Sequence, residues 1–140
     1  MKTVYTAEAL ATGEGRNGRT RSSDGRLDFD LAIPEAMGGS GQGTNPEQLF
    51  AAGYAACFHS ALQMVARQNK ADITDSSVGA RVGIGPNDAG GFALEVTLEV
   101  TLPKLGHDEA QALADKAHQV CPYSNATRGN IDVTVTVTDD

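Results

Sequence analysis

The chain has 140 residues, a formal net charge of −7, 40% apolar residues, no Trp and two cysteines. The length suits a single domain with its own core. The acidic balance excludes nucleic acid or an anionic membrane surface as the main partner. The N-terminus, MKTVYTAEAL, lacks the apolar core of a signal peptide, and the chain reads as a cytoplasmic protein. Two cysteines in that setting are reduced or redox-active rather than a structural staple.

Residues 3–12 read as a strand. GEGRNGRTRSSDGRL then turns twice, at Asn17-Gly18 and at Asp24-Gly25. Leu27, Phe29, Leu31 and Ile33 alternate with Asp28, Asp30 and Ala32, the pattern of a strand with one buried and one wet face. A Gly-rich loop, residues 34–44, follows. It is not a phosphate loop, because no Gly-Lys-Ser/Thr comes after it. Asn45 is a helix cap, Pro46 suits the first turn, and Gln48 stands three residues after the cap. The helix predicted from there to Lys70 is apolar on nearly every face, so it should be surrounded. Its longest apolar stretch, Leu49 to Phe58, is too short to span a bilayer.

Val78, Ala80, Val82 and Ile84 alternate, a turn at residues 86–91 follows, and Phe92 to Leu102 alternate without a break. These form a hairpin. A second helix is predicted over 108–120, ended by Pro122, which disfavours helix at Cys121. The segment PYSNATRGN leads to a last strand, in which Ile131, Val133, Val135 and Val137 alternate with polar residues. The order is βββ-α-ββ-α-β, an α+β chain with a mostly antiparallel sheet covered on one side. One six-stranded sheet cannot cover a helix that is apolar all round. An obligate dimer, with a second subunit supplying the cover, is therefore expected.

Cys57 sits mid-helix beside Ala51, Ala52, Ala55 and Ala56; Cys121 lies at the end of the second helix. No second Cys or His stands at a zinc-site spacing. Both thiols fit the role of small buried hydrophobes. They also occupy core-facing positions of their own helices, from which they could meet. On composition alone Arg16 is a solvated loop charge, and Glu47 is a first-turn acid favoured by the helix dipole. His59 is the one histidine near Cys57, but residues i and i+2 of a helix point apart, which makes a Cys–His hydrolase pair weak. Tyr54 and Tyr123 read as packing residues, and His118 as part of the second helix.

NPEQLFAAGYAACF at 45–58 and HQVCPYSNATRGNIDV at 118–133 resemble the two signature blocks of the organic hydroperoxide resistance proteins, the Ohr branch of the OsmC/Ohr superfamily. GRNGR at 15–19, SSDG at 22–25 and VGIG at 82–85 match as well, so the likeness covers the whole chain. The second block favours the Ohr branch over the OsmC branch. The resemblance implies an intertwined homodimer that reduces organic hydroperoxides, alkyl or lipid, to alcohols by a two-cysteine mechanism. It implies Cys57 as the peroxidatic cysteine and Cys121 as the resolving one. Arg16 would stabilise the thiolate and Glu47 would orient Arg16. No bound cofactor is implied. The implied reductant is a dihydrolipoyl group on another, lipoylated protein.

A free thiol has a pKa of ~8.5, so an adjacent guanidinium would raise its reactive fraction at neutral pH. Glu47 and Cys57 are ten residues apart, about 15 Å along an unbroken helix. Either the helix breaks, with Gly53 the best candidate, or Glu47 and Arg16 come from the other subunit. A composite site at a dimer interface is the expectation.

Overall fold

The computed structural model describes residues 1–138, in two compact units that divide between Leu49 and Phe50. In the first unit, β1 (Ala9–Thr12), β2 (Arg19–Ser22) and β3 (Asp28–Asp30) form an antiparallel meander in that order. A 3-10 turn at Gly15–Asn17 makes the first connection. Gly18 is required there by close approach: a Cβ on it would lie 2.1 Å from the Thr12 carbonyl oxygen. The Gly-rich loop returns beside β3, with the Thr44 N–H donating to Asp30 O and the Ala32 N–H to Thr44 O. Asn45 caps the next helix as expected, its Oδ1 accepting the Gln48 N–H at 2.8 Å.

The first strand is shorter than the predicted 3–12, and the alternation at 27–33 does not bury a face within one chain. Leu27 is 49% exposed and Leu10 60%, and Ala32 is the unit's one buried apolar side chain among the described residues. A few dozen residues with so little core do not hold a fold unaided.

Helix α1 (Pro46–Gln68) starts in the first unit and runs into the second without interruption. Gly53 does not break it. Its 23 residues fall just inside the predicted 45–70. By length and composition alone it could cross a membrane. In this fold it packs its Tyr54, Phe58, Leu62 and Val65 into a protein core. It is not surrounded within one chain, since Ala52, Ala56, Ser60, Gln63 and Met64 leave a stripe exposed.

In the second unit, β4 (Ser77–Pro86) and β5 (Phe92–Thr101) make the expected antiparallel hairpin. β6 (Val133–Thr138) joins the other edge of β5 in parallel, Val96 facing Val133 and Thr101 facing Thr138. Between β5 and β6 run α2 (His107–Val120) and a short helix, α3 (Pro122–Thr127), where the sequence predicted only a connecting segment. The strands therefore form two three-stranded sheets within the chain, not one six-stranded sheet. Three of the four pairings are antiparallel. The core lies between β5 (Val96, Leu98, Val100), α1 and the Ala110, Leu113, Ala114, Ala117 face of α2.

Candidate active site

Cys57 projects from the middle of α1 and is half-buried, while Cys121 is wholly buried at the joint between α2 and α3. Pro122 at the first position of α3 forces that joint, so Cys121 leaves helical geometry at φ −63°, ψ 124°. At this joint the two sulfurs lie 3.5 Å apart, as unbonded thiols. A disulfide needs ~2.05 Å, so bond formation requires only a small further approach. An open pocket of about 390 Å³ borders Cys57, walled by Ala61, Met64, Val120 and Pro122 with Ser60 and Arg67 at its polar side.

The Cys57 thiol is pushed above its ordinary pKa chiefly by desolvation. The Tyr123 backbone N–H opposes this by bonding the sulfur, and the Cys121 thiol adds to the upward push. Within its own unit, then, Cys57 is held close to its partner sulfur but is not favoured as a thiolate.

In the first unit, Arg16 and Glu47 form a two-point ion pair. Arg16 Nη1 donates to Glu47 Oε2 at 2.8 Å and Nη2 to Oε1 at 2.6 Å. The Gly15–Asn17 turn presents the arginine and the first turn of α1 presents the carboxylate. Arg16 holds the Glu47 carboxyl below its ordinary pKa, against the upward effect of burial, and the arginine is raised in turn. Fork-to-carboxylate pairing of this kind fixes the plane and direction of the guanidinium. His59 takes no part beside the sulfurs: its Nε2 bonds Ser76 Oγ at 2.9 Å.

Three features escaped the sequence reading. One is the Tyr123 backbone N–H, which favours the Cys57 thiolate against desolvation. A second is the hydroxyl of Tyr54, fully buried and bonded to Ser124 Oγ at 2.8 Å and Thr127 Oγ1 at 3.1 Å. The third is His118 Nδ1, bonded to the same Ser124 Oγ at 2.8 Å. The available signal was spacing, since His118 and Ser124 stand three residues either side of Cys121, and Tyr54 three before Cys57.

The profile of the OsmC-like proteins matches residues 39–136. The organic hydroperoxide resistance protein of Xanthomonas axonopodis pv. citri is 56% identical over 138 residues, spanning 97% of this chain and 96% of that one. The organic hydroperoxide resistance protein OhrB of Bacillus subtilis is 49% identical over 131 residues, covering 93% and 95%. A crystal structure of an organic hydroperoxide resistance protein from Elizabethkingia anophelis superposes with a TM-score of 0.94 at 52% identity, over the full length of both chains. The chain belongs to the OsmC-like family and, within it, to the organic hydroperoxide resistance proteins.

Proposed function

We propose that this protein is a two-cysteine peroxidase that reduces organic hydroperoxides to alcohols. The observation that carries the reading is the pair of unbonded sulfurs 3.5 Å apart, the first of them facing an open, mainly apolar pocket. The Cys57 thiolate attacks the terminal peroxide oxygen, the O–O bond breaks, and the alkoxide leaves as an alcohol after taking a proton. Cys57 is left as a sulfenic acid. The Cys121 sulfur then displaces its hydroxyl as water and closes the disulfide before a second peroxide arrives. Apolar pocket walls favour alkyl or lipid chains over hydrogen peroxide. A dihydrolipoyl group of a lipoylated protein reopens the disulfide by thiol exchange and is itself oxidised to the cyclic disulfide.

Arg16 supplies the positive charge and Glu47 aims it. Because α1 is unbroken, Glu47 and Cys57 are separated by about 15 Å of helix rise. The Arg16–Glu47 pair of one subunit is therefore assigned to the Cys57 of the other, in a homodimer. The exposed Leu10 and Leu27 of the first unit and the exposed stripe of α1 support such an association. The experiment is steady-state reduction of tert-butyl hydroperoxide with dihydrolipoamide, compared with thioredoxin as donor. A chain that keeps both free thiols under excess hydroperoxide refutes the peroxidase. Co-refolded Cys57→Ser and Arg16→Ala proteins test the composite site: subunit exchange without recovered activity refutes it.

A further inference from the structure

The buried hydroxyl line beneath the two cysteines has a single consistent hydrogen order. Thr127 Oγ1 donates its one hydrogen to the Ser124 carbonyl at 3.2 Å. It can then only accept from Tyr54, whose O–H is thereby committed. Tyr54 must in turn accept from Ser124 Oγ–H, and Ser124 Oγ must accept from His118 Nδ1–H. The line therefore runs His118, Ser124, Tyr54, Thr127, each group donating to the next, and such ordered chains reinforce one another. Burial and the nearby Arg128 charge lower the His118 pKa, which agrees with a neutral ring carrying its hydrogen on Nδ1. Tyr54, Ser124 and Thr127 are all buried, so water does not replace a lost partner.

The position of this line matters more than its strength. Tyr54 lies one helical turn before Cys57 on α1. His118 and Ser124 bracket Cys121, one before and one after the joint between α2 and α3. The His118–Ser124 bond spans that joint, and the Ser124–Tyr54 bond ties it to α1. The same segment carries Tyr123, whose backbone N–H favours the Cys57 thiolate.

We infer that Tyr54, Ser124 and His118 are positioning residues that hold the Cys121 sulfur against the Cys57 sulfur for disulfide closure. The inference concerns the site of the proposed peroxidase and deepens that reading, but its main test does not depend on peroxide. Without the line, the dithiol gains freedom of the Cys121 segment that the covalent bond denies the disulfide, so the equilibrium moves toward the dithiol. The full-length protein is equilibrated with reduced and oxidised dithiothreitol. The two thiols are oxidised to the protein disulfide as the dithiothreitol disulfide is reduced, and both forms are counted by mass. Tyr54→Phe and Ser124→Ala should each lower the disulfide-to-dithiol ratio about fivefold to tenfold at fixed dithiothreitol ratio, the effect of one buried hydrogen bond expressed in this equilibrium. Val100→Ala, a core change remote from the line in sequence, serves as the control and should leave the ratio within about twofold at comparable loss of urea stability. A ratio unchanged in Tyr54→Phe, or shifted equally by Val100→Ala, overturns the inference.

A second arm uses hydroperoxide. A sulfenic acid that waits longer for Cys121 reacts with a second hydroperoxide, giving a sulfinic acid and a second alcohol. Tyr54→Phe should therefore divert more Cys57 to sulfinic acid than the parent does at the same dose. If the exchange arm shows the shift and no variant or parent consumes hydroperoxide, the peroxidase reading fails and the positioning role stands.

Discussion

The Arg16–Glu47 pair predicts a measurable, pH-dependent coupling. Glu47 is 13% exposed and Arg16 34%. That places the pair between exposed ion pairs, worth ~0.2–1 kcal/mol, and buried ones, whose breakage costs ~3–5 kcal/mol. Discounting for the third of the Arg16 side chain that faces solvent, a double-mutant cycle of Arg16→Ala and Glu47→Gln should give a coupling of about 1–2 kcal/mol at pH 7. The folded Glu47 carboxyl lies below its ordinary 4.5 because of the Arg16 bonds. A depressed acid contributes stability above its unfolded pKa and loses it as pH falls through the folded value. The coupling should therefore be full at pH 7 and shrink steadily below about pH 4.5, vanishing once Glu47 is protonated. Urea titrations of the four proteins at a series of pH values measure it. A coupling under about 0.3 kcal/mol at pH 7, or one that survives protonation, refutes the argument.

Other perturbations separate structure from chemistry. Leu98→Ala, at a fully buried position of β5, should cost ~2–5 kcal/mol in urea denaturation through the cavity it leaves. Gly53→Ala places a Cβ 3.0 Å from Tyr123 Oη, on a side chain that is 40% exposed but packs edge-on against Phe50 and Tyr54. The helix propensity gained, ~1 kcal/mol, should roughly balance that adjustment, whereas a loss above about 2 kcal/mol would show that Tyr123 cannot move. His59→Gln, which alters a ring bonded to Ser76, should leave the rate of peroxide-driven thiol loss within about threefold of the parent. A fall of about a hundredfold or more would restore a Cys–His mechanism.

The local elements were readable because their signals are local. Asn45 caps α1, Pro122 ends α2 at Cys121, and the alternation in 78–102 gives the β4–β5 hairpin. Period-two alternation says which face of a strand is apolar but not which way its neighbour runs. The parallel β5–β6 pairing, set by the crossover through α2 and α3, was invisible for that reason. Likewise the division into two small sheets depends on which edges meet, not on any strand's own pattern. The four proposed site residues, Arg16, Glu47, Cys57 and Cys121, were named from the family likeness. Composition alone left each of them with a bland role. The Tyr54–Ser124–His118 line was missed because an apolar-stretch tyrosine, a helix histidine and a serine after the Cys-Pro step are individually unremarked. Only the fold puts their polar atoms on one path.

The upward push on the Cys57 thiol creates a demand that its own unit does not meet, and this gives the composite-site proposal its sharpest electrostatic test. Desolvation raises the pKa, and the single Tyr123 N–H does not offset it. A guanidinium about 4 Å from the sulfur would favour the thiolate by ~4 kcal/mol at an effective dielectric of 20. Allowing for solvent on a one-third exposed Arg16 leaves ~1–3 kcal/mol, or about one to two pKa units. Arg16→Ala should thus raise the Cys57 pKa and slow its alkylation by iodoacetamide about tenfold to a hundredfold at pH 7. The deficit should close as pH rises, because at high pH both proteins are thiolate whether or not the cation is present. Alkylation is followed at Cys57 in a Cys121→Ser background, so that the partner sulfur neither reacts nor perturbs the reading. Superimposable pH profiles with and without the Arg16→Ala substitution would mean that the arginine never reaches the sulfur in either subunit, and the charge-assisted thiolate would have to be abandoned.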